Sequence, residues 1–233
     1  MDIFTPEFGL ALAQLIWINA LLSGDNAVVI AMACRGLPDR QRKIGMIAGA
    51  GAAIGLRIIF TAIVVLLLDI PYLKVAGALA LVWIAVDLLR PKEEENTDIA
   101  EQGSLLKAIG TIAVADMVMS LDNVIAIAGV AHGDWFLIIL GLLISIPLII
   151  AGSAIILKII DKLPIIVWAG AALLGYVAGE MIMSDIAVVA RIGEEAAHHY
   201  ELAVALGTAV LVVALAWVVI RLTNRSEPEG KAA

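Results

Sequence analysis

The chain has 233 residues, 62% of them hydrophobic and 16% charged, with a formal net charge of −7 and a mean hydropathy of +1.03. No soluble globular domain of this length needs so much apolar material, so residues 1–233 read as a single all-α transmembrane domain of a polytopic membrane protein. The acids gather in connections such as Glu93 to Glu101, so the charge marks no nucleic-acid partner, and the lone Cys34 excludes an internal disulfide and a thiolate metal cage.

A bilayer span needs about 20 mainly apolar residues. Seven such stretches follow in order: 8–34, 44–68, 72–90, 105–131, 135–157, 165–186 and 201–222. Breakers punctuate the connections at Gly36 and Pro38, Pro71, Pro91, Gly133, Pro164 and Gly193. The runs are continuous rather than alternating, which makes them helices and not barrel strands. The first is too long, and too acidic at its flanks, for a cleaved signal, and is expected to remain as a span. Residues 223–233 read as a polar cytoplasmic tail.

Orientation follows from the basic residues. Arg35, Arg40, Arg42, Lys43, Arg90, Lys92, Lys107, Lys158, Lys162, Arg221, Arg225 and Lys231 fall on one side of the seven spans, and only Lys74 and Arg191 on the other. This positive-inside bias puts the N-terminus outside and the C-terminus in the cytoplasm of a plasma-membrane protein.

The first span carries Asn19-x-x-x-Ser23-x-Asp25-Asn26, and the fourth carries Asp116-x-x-x-Ser120-x-Asp122-Asn123. Ala76-Gly77-Ala78 leading to Asp87 likewise parallels Ala169-Gly170-Ala171 leading to Glu180. Spans 1–3 (8–90) therefore match spans 4–6 (105–186), with 201–222 as an extra helix. An odd number of spans per copy inverts one copy against the other. Such 3+3 repeats are a transporter signature, with the binding site near the midplane where the copies meet.

On a helix Asn19, Ser23 and Asn26 form one stripe, as do Asp116, Ser120 and Asn123. Asp25 and Asp122 lie about 100° away from their neighbouring asparagines. Either each aspartate faces a different neighbour, or the helix is unwound at Ser-x-Asp-Asn, which Gly24 eases in the first copy. Carboxylates, amides and hydroxyls without thiolate or imidazole make a hard-cation site. Asp25 and Asp122 together neutralise a divalent ion. Asp116, whose counterpart is Asn19, is the unmatched acid: a candidate for proton coupling and equally a third ligand.

Asp87 and Glu180 are equivalent under the repeat and are candidate entry and exit carboxylates, although interfacial placement explains them as well. Arg57, the one base deep in a span, is expected to pair with an intramembrane aspartate, by default as a structural counter-ion and otherwise as an accessory or gating group. Gly45-x-x-x-Gly49, Gly51-x-x-x-Gly55 and Gly175-x-x-x-Gly179 call for close helix packing within the bundle and leave a homodimer open. Glu194, Glu195, His198 and His199 read as a solvated outer loop.

These residues resemble the TerC family of integral membrane proteins in its short seven-span form. The likeness rests on Ser23-x-Asp25-Asn26, on Asp116-x-x-x-Ser120-x-Asp122-Asn123 and on the inverted repeat, over about residues 8 to 222. It implies a LysE-like transporter fold, residence in the lipid bilayer and, as in several members, manganese efflux. Mn2+ or another divalent cation is then the transported ion, with no prosthetic group. The family name comes from tellurium resistance, which keeps an anion-related or metal-homeostasis role as the alternative. A membrane enzyme is not expected, since no nucleophile–base pair or H-E-x-x-H motif is present.

Overall fold

A computed structural model describes residues 6–21, 24–67, 70–90, 98–131 and 135–225. Among these the elements are helical throughout: α1 (Pro6–Leu21), α2 (Gly24–Cys34), α3 (Asp39–Leu67), α4 (Leu73–Leu89), α5 (Asp98–Ala131), α6 (Trp135–Lys162), α7 (Ile165–Met183), α8 (Ile186–Ile192) and α9 (Glu194–Arg225). Five are long and apolar enough to cross a bilayer, over Asp39–Thr61, Ser104–Leu121, Ile138–Lys162, Ile165–Met183 and Glu194–Thr223. The first expected span corresponds to α1 and α2 together, and the third to α4, at 17 residues.

Local chemistry sets the ends of these helices. Asp39 opens α3 directly after Pro38 and places a carboxylate in the first turn, where the helix dipole favours it. Pro164 precedes α7, with its fixed φ and missing N–H suited to a helix start. Gly193, at φ 86°, turns the chain into α9, whose first turn holds Glu194 and Glu195. The acidic and histidine-bearing stretch expected as an outer loop is therefore helical. Its carboxylates complement the N-terminal dipole, and His198 Nδ1 lies 3.3 Å from Glu201 Oε2 one turn on.

Asp185 makes a second departure from the sequence reading. The sixth span was expected to run to 186, but α7 ends at Met183. Asp185 instead caps α8, its carboxylate accepting from Ala187 N at 2.8 Å. The same buried side chain accepts from Tyr72 N and Lys74 N, each at 3.1 Å, at the start of α4. One carboxylate thus serves two helix N-termini and holds Tyr72 in a left-handed conformation (φ 64°).

The helices α2, α4, α5 and α7 pack on one another at the centre. Helix α3 lies along α5, and α6 lies along α1 and α2. Helix α9 covers the outer side of α7 and touches α4. The core holds Met32, Leu81, Ile84, Ile112, Leu142 and Leu174, all fully buried, while Leu79, Trp83, Ile155 and Val210 face outward to lipid.

Lipid is as apolar as leucine, so close contact rather than hydrophobic burial holds such helices together. A Cβ at Gly175 would sit 2.8 Å from both Ala209 Cα and Thr208 O of α9. One at Gly77 would meet Val118 Cγ1 of α5 at 2.8 Å, and one at Gly170 would meet Val28 Cγ1 of α2 at 2.8 Å. Gly45 and Gly49 likewise receive the side chains of Leu37, Cys34 and Ile112. Gly51 and Gly55, expected to pack in the same way, have open space above them. They lie on the opposite face of α3 from Gly49, because two residues turn a helix by about 200°.

Candidate functional site

The site is built around one ion pair. Arg57 of α3 is 1% exposed, and its Nη2 contacts Asp116 Oδ1 of α5. Its Nε donates to Ser120 Oγ at 2.9 Å, and Ser120 Oγ donates to Asp116 Oδ2 at 3.3 Å. Asp116 and Ser120 are one turn apart on a single stripe, so α5 offers Arg57 an acid and a hydroxyl at once. Two unpaired buried charges would each carry a large desolvation cost, and pairing with hydrogen bonds is what makes their burial tolerable. Asp116 is the intramembrane partner that Arg57 required.

Beside this pair lies a cavity of about 10 Å³, room for about one water molecule. Its walls are aliphatic, from α2, α3, α5 and α6, apart from two polar residues: Asn26 of α2 and Asp116 of α5. Each belongs to one of the two matching motifs, so the motifs meet at this point. Asp25, next to Asn26 in the first turn of α2, is half-buried, and its carboxylate accepts from Asn26 N at 2.8 Å. It lies within electrostatic reach of both Arg57 and Asp116.

The other expected site residues divide into two groups. Ser23 and the side chains of Asn19, Asp122 and Asn123 lie outside the described residues. The α5 backbone is nevertheless helical through Ala131, so the second motif is not unwound. Asn123 accordingly shares the stripe of Asp116 and Ser120, while Asp122 sits about 200° around the helix from Ser120. Asp87 and Glu180 do not line the cavity. Asp87 pairs with Lys107 at 3.2 Å where α4 meets α5, and Glu180 stands in the last turn of α7.

Among the described residues no group of three or more Asp, Glu, His or Cys side chains stands together as a metal cluster. The donors present at the cavity are one carboxylate and one amide, with the Asp25 carboxylate nearby. Sequence reasoning missed the cavity's aliphatic wall on α3, formed by Ala50, Ala53 and Ile54. The spacing of these residues ahead of Arg57 was available as a signal. It also missed Asp185, which stands before the short apolar run 186–190 as an N-cap residue does.

Comparison with known proteins gives a consistent result. The model of the "Integral membrane protein TerC family" matches residues 4–227. The uncharacterized membrane protein YjbE of Bacillus subtilis (strain 168) is 45% identical over 179 residues, covering 77% of this chain and 82% of the relative. The uncharacterized membrane protein YceF of the same organism is 28% identical over 214 residues, covering 88% and 78%. A third, the uncharacterized membrane protein YkoY, is 23% identical over 207 residues, covering 78% and 64%. No solved structure matches.

Proposed function

The chain belongs to the TerC family of integral membrane proteins, and we propose that it exports a divalent metal cation, with Mn2+ the first candidate, by alternating access around the Asn26–Asp116 cavity. The observation that carries this reading is the meeting of the two motifs. An acid from one copy and an amide from the other face a space the size of one small ligand, deep among aliphatic side chains. Polar groups at such depth are costly, and in transporters they mark ion paths. Oxygen donors alone favour Mg2+, Ca2+ or Mn2+ over softer metals. Asp25, Asn26 and Asp116 are the ligands assigned first, with Asn19, Ser23, Ser120, Asp122 and Asn123 completing the candidate shell.

A seven-span inverted repeat of the LysE-like kind accounts for the packing. Exchanging α1 and α2 with α5, α3 with α6, and α4 with α7 maps the contact of α3 with α5 onto that of α6 with α1 and α2. The same exchange maps Gly77 of α4, seated against α5, onto Gly170 of α7, seated against α2. The positive-inside bias of the basic residues supports an N-terminus outside and a C-terminus in the cytoplasm of the plasma membrane.

We favour transport over catalysis on the positive ground that the described polar lining is an amide and a carboxylate, both cation ligands. An oxyanion such as tellurite is disfavoured, because Arg57, the cation beside the cavity, is already committed to Asp116. The test is an efflux assay in cells lacking their own exporters, with Mn2+, Ca2+, Mg2+ and tellurite compared. Protection against Mn2+ accompanied by lower cell manganese is expected. Protection against tellurite alone would replace this reading with the anion one.

A further inference from the structure

We propose that Arg57 is a tethered counter-cation of the transport site. It occupies Asp116 while no metal is bound, and it is displaced when a divalent cation enters, so the two hold the carboxylate in turn. This deepens the cation-export reading and rests on it.

Four observations point the same way. First, both Asp116 oxygens already have protein donors, Oδ1 from Arg57 and Oδ2 from Ser120. Asp116 also lines the cavity, so a metal arriving there meets an acid that already carries a cation. A dication and a guanidinium on one carboxylate repel strongly in such a setting, and one must move. Second, Arg57 lies on the α3 stripe that begins with Ala50, Ala53 and Ile54, one turn beyond the cavity wall, so its side chain and the cavity share one face of α3.

Third, the fork is only partly used. Nε and Nη2 are engaged, but the buried Nη1 has no hydrogen-bond partner among the described residues. An arginine placed only for structure would have its donors satisfied at this depth, whereas one that changes partners needs a donor in reserve.

Fourth, the charges around the two motifs leave a balance that one divalent ion fits. Spans one and four carry three aspartates, Asp25, Asp116 and Asp122, against this one arginine. The remainder is the charge of one divalent ion. The empty carrier keeps Asp116 neutralised by Arg57, and the loaded one by the metal.

The experiment measures Mn2+ affinity by calorimetry on the purified full chain in detergent, for wild type, Arg57→Gln and Arg57→Lys. Turnover of each is followed in proteoliposomes. Removal of the competitor should tighten Mn2+ binding at least tenfold in Arg57→Gln while turnover falls at least tenfold, because the empty carrier no longer resets. Loss of a fixed nearby charge would also tighten binding in Arg57→Gln, so the charge-retaining Arg57→Lys carries the distinction. Arg57→Lys keeps the charge and so spares Asp116 an unpaired burial. Its compact ammonium cannot span Asp116 and Ser120 together, and its Mn2+ affinity should rise about threefold or more. If wild type binds Mn2+ and the folded variants bind it equally or more weakly, the counter-cation role is overturned and the export reading stands. If wild type neither binds nor moves any divalent cation, the export reading falls and takes this inference with it.

Discussion

Replacing Asp116 by asparagine should destabilise the metal-free protein far more than the same change at Asp25. At position 116 the substitution leaves the Arg57 guanidinium, 1% exposed, without its counter-charge. Breaking a buried pair from one side costs about 3–5 kcal/mol. The asparagine oxygen still accepts one neutral hydrogen bond, which puts the expected loss near the lower end, about 3 kcal/mol. For a chain of this size each kcal/mol moves the midpoint by about 2–4 °C, so a drop of about 6–12 °C is expected. Asp25 is half-buried, and its hydrogen bond comes from Asn26 N, which an asparagine oxygen can also accept. Asp25→Asn should stay within about 1 kcal/mol of wild type. The assay is thermal unfolding in detergent with chelator present, checked by size-exclusion chromatography. The double variant Arg57→Gln with Asp116→Asn should be more stable than the sum of the two single losses by about 2–3 kcal/mol. An Asp116→Asn protein melting within about 2 °C of wild type would refute the reasoning, because Arg57 would then not depend on that carboxylate.

Gly175→Ala should destabilise by about 1–3 kcal/mol, because its Cβ would lie 2.8 Å from backbone atoms of α9 that cannot swing aside. Gly51→Ala, with open space above it, should be neutral or stabilising by up to about 1 kcal/mol, and thermal unfolding reads both. Asp185→Ala removes the acceptor for Ala187, Tyr72 and Lys74 amides and should cost about 2–3 kcal/mol, seen as a lower midpoint and faster exchange of those amides. Replacing His198 and His199 together by alanine should leave Mn2+ efflux within about twofold of wild type, since His198 makes only an exposed contact with Glu201.

Much of the scaffold was legible because hydropathy runs and breakers act over whole spans. The starts expected at 72, 135 and 165 fall within one residue of α4, α6 and α7. The unique Arg57 required an acid, and the motif spacing narrowed the choice to a few aspartates. Details set by single hydrogen bonds were not legible. The residues after Asp185 are apolar enough to prolong a span, which masked its N-cap pattern, and its three amide bonds decide that the helix ends and restarts there. The direction of Gly51 and Gly55 was also hidden. In lipid the outward face of a helix is as apolar as the inward one, so periodicity carries little information about which face packs. The cavity wall on α3 escaped because Ala50, Ala53 and Ile54 match lipid-facing neighbours in composition, and only their shared stripe with Arg57 sets them apart.

The central claim is that the Asn26–Asp116 cavity carries a divalent cation, and its most direct measurement is Mn2+ flux into proteoliposomes containing the purified chain. Wild type should give saturable flux well above protein-free vesicles, with competition by excess unlabelled Mn2+. Asp25→Asn and Asp116→Asn, each confirmed as folded, should lose at least tenfold of it. Flux no greater than that of empty vesicles for Mn2+, Mg2+ and Ca2+ alike, or undiminished flux in both folded variants, would contradict the account.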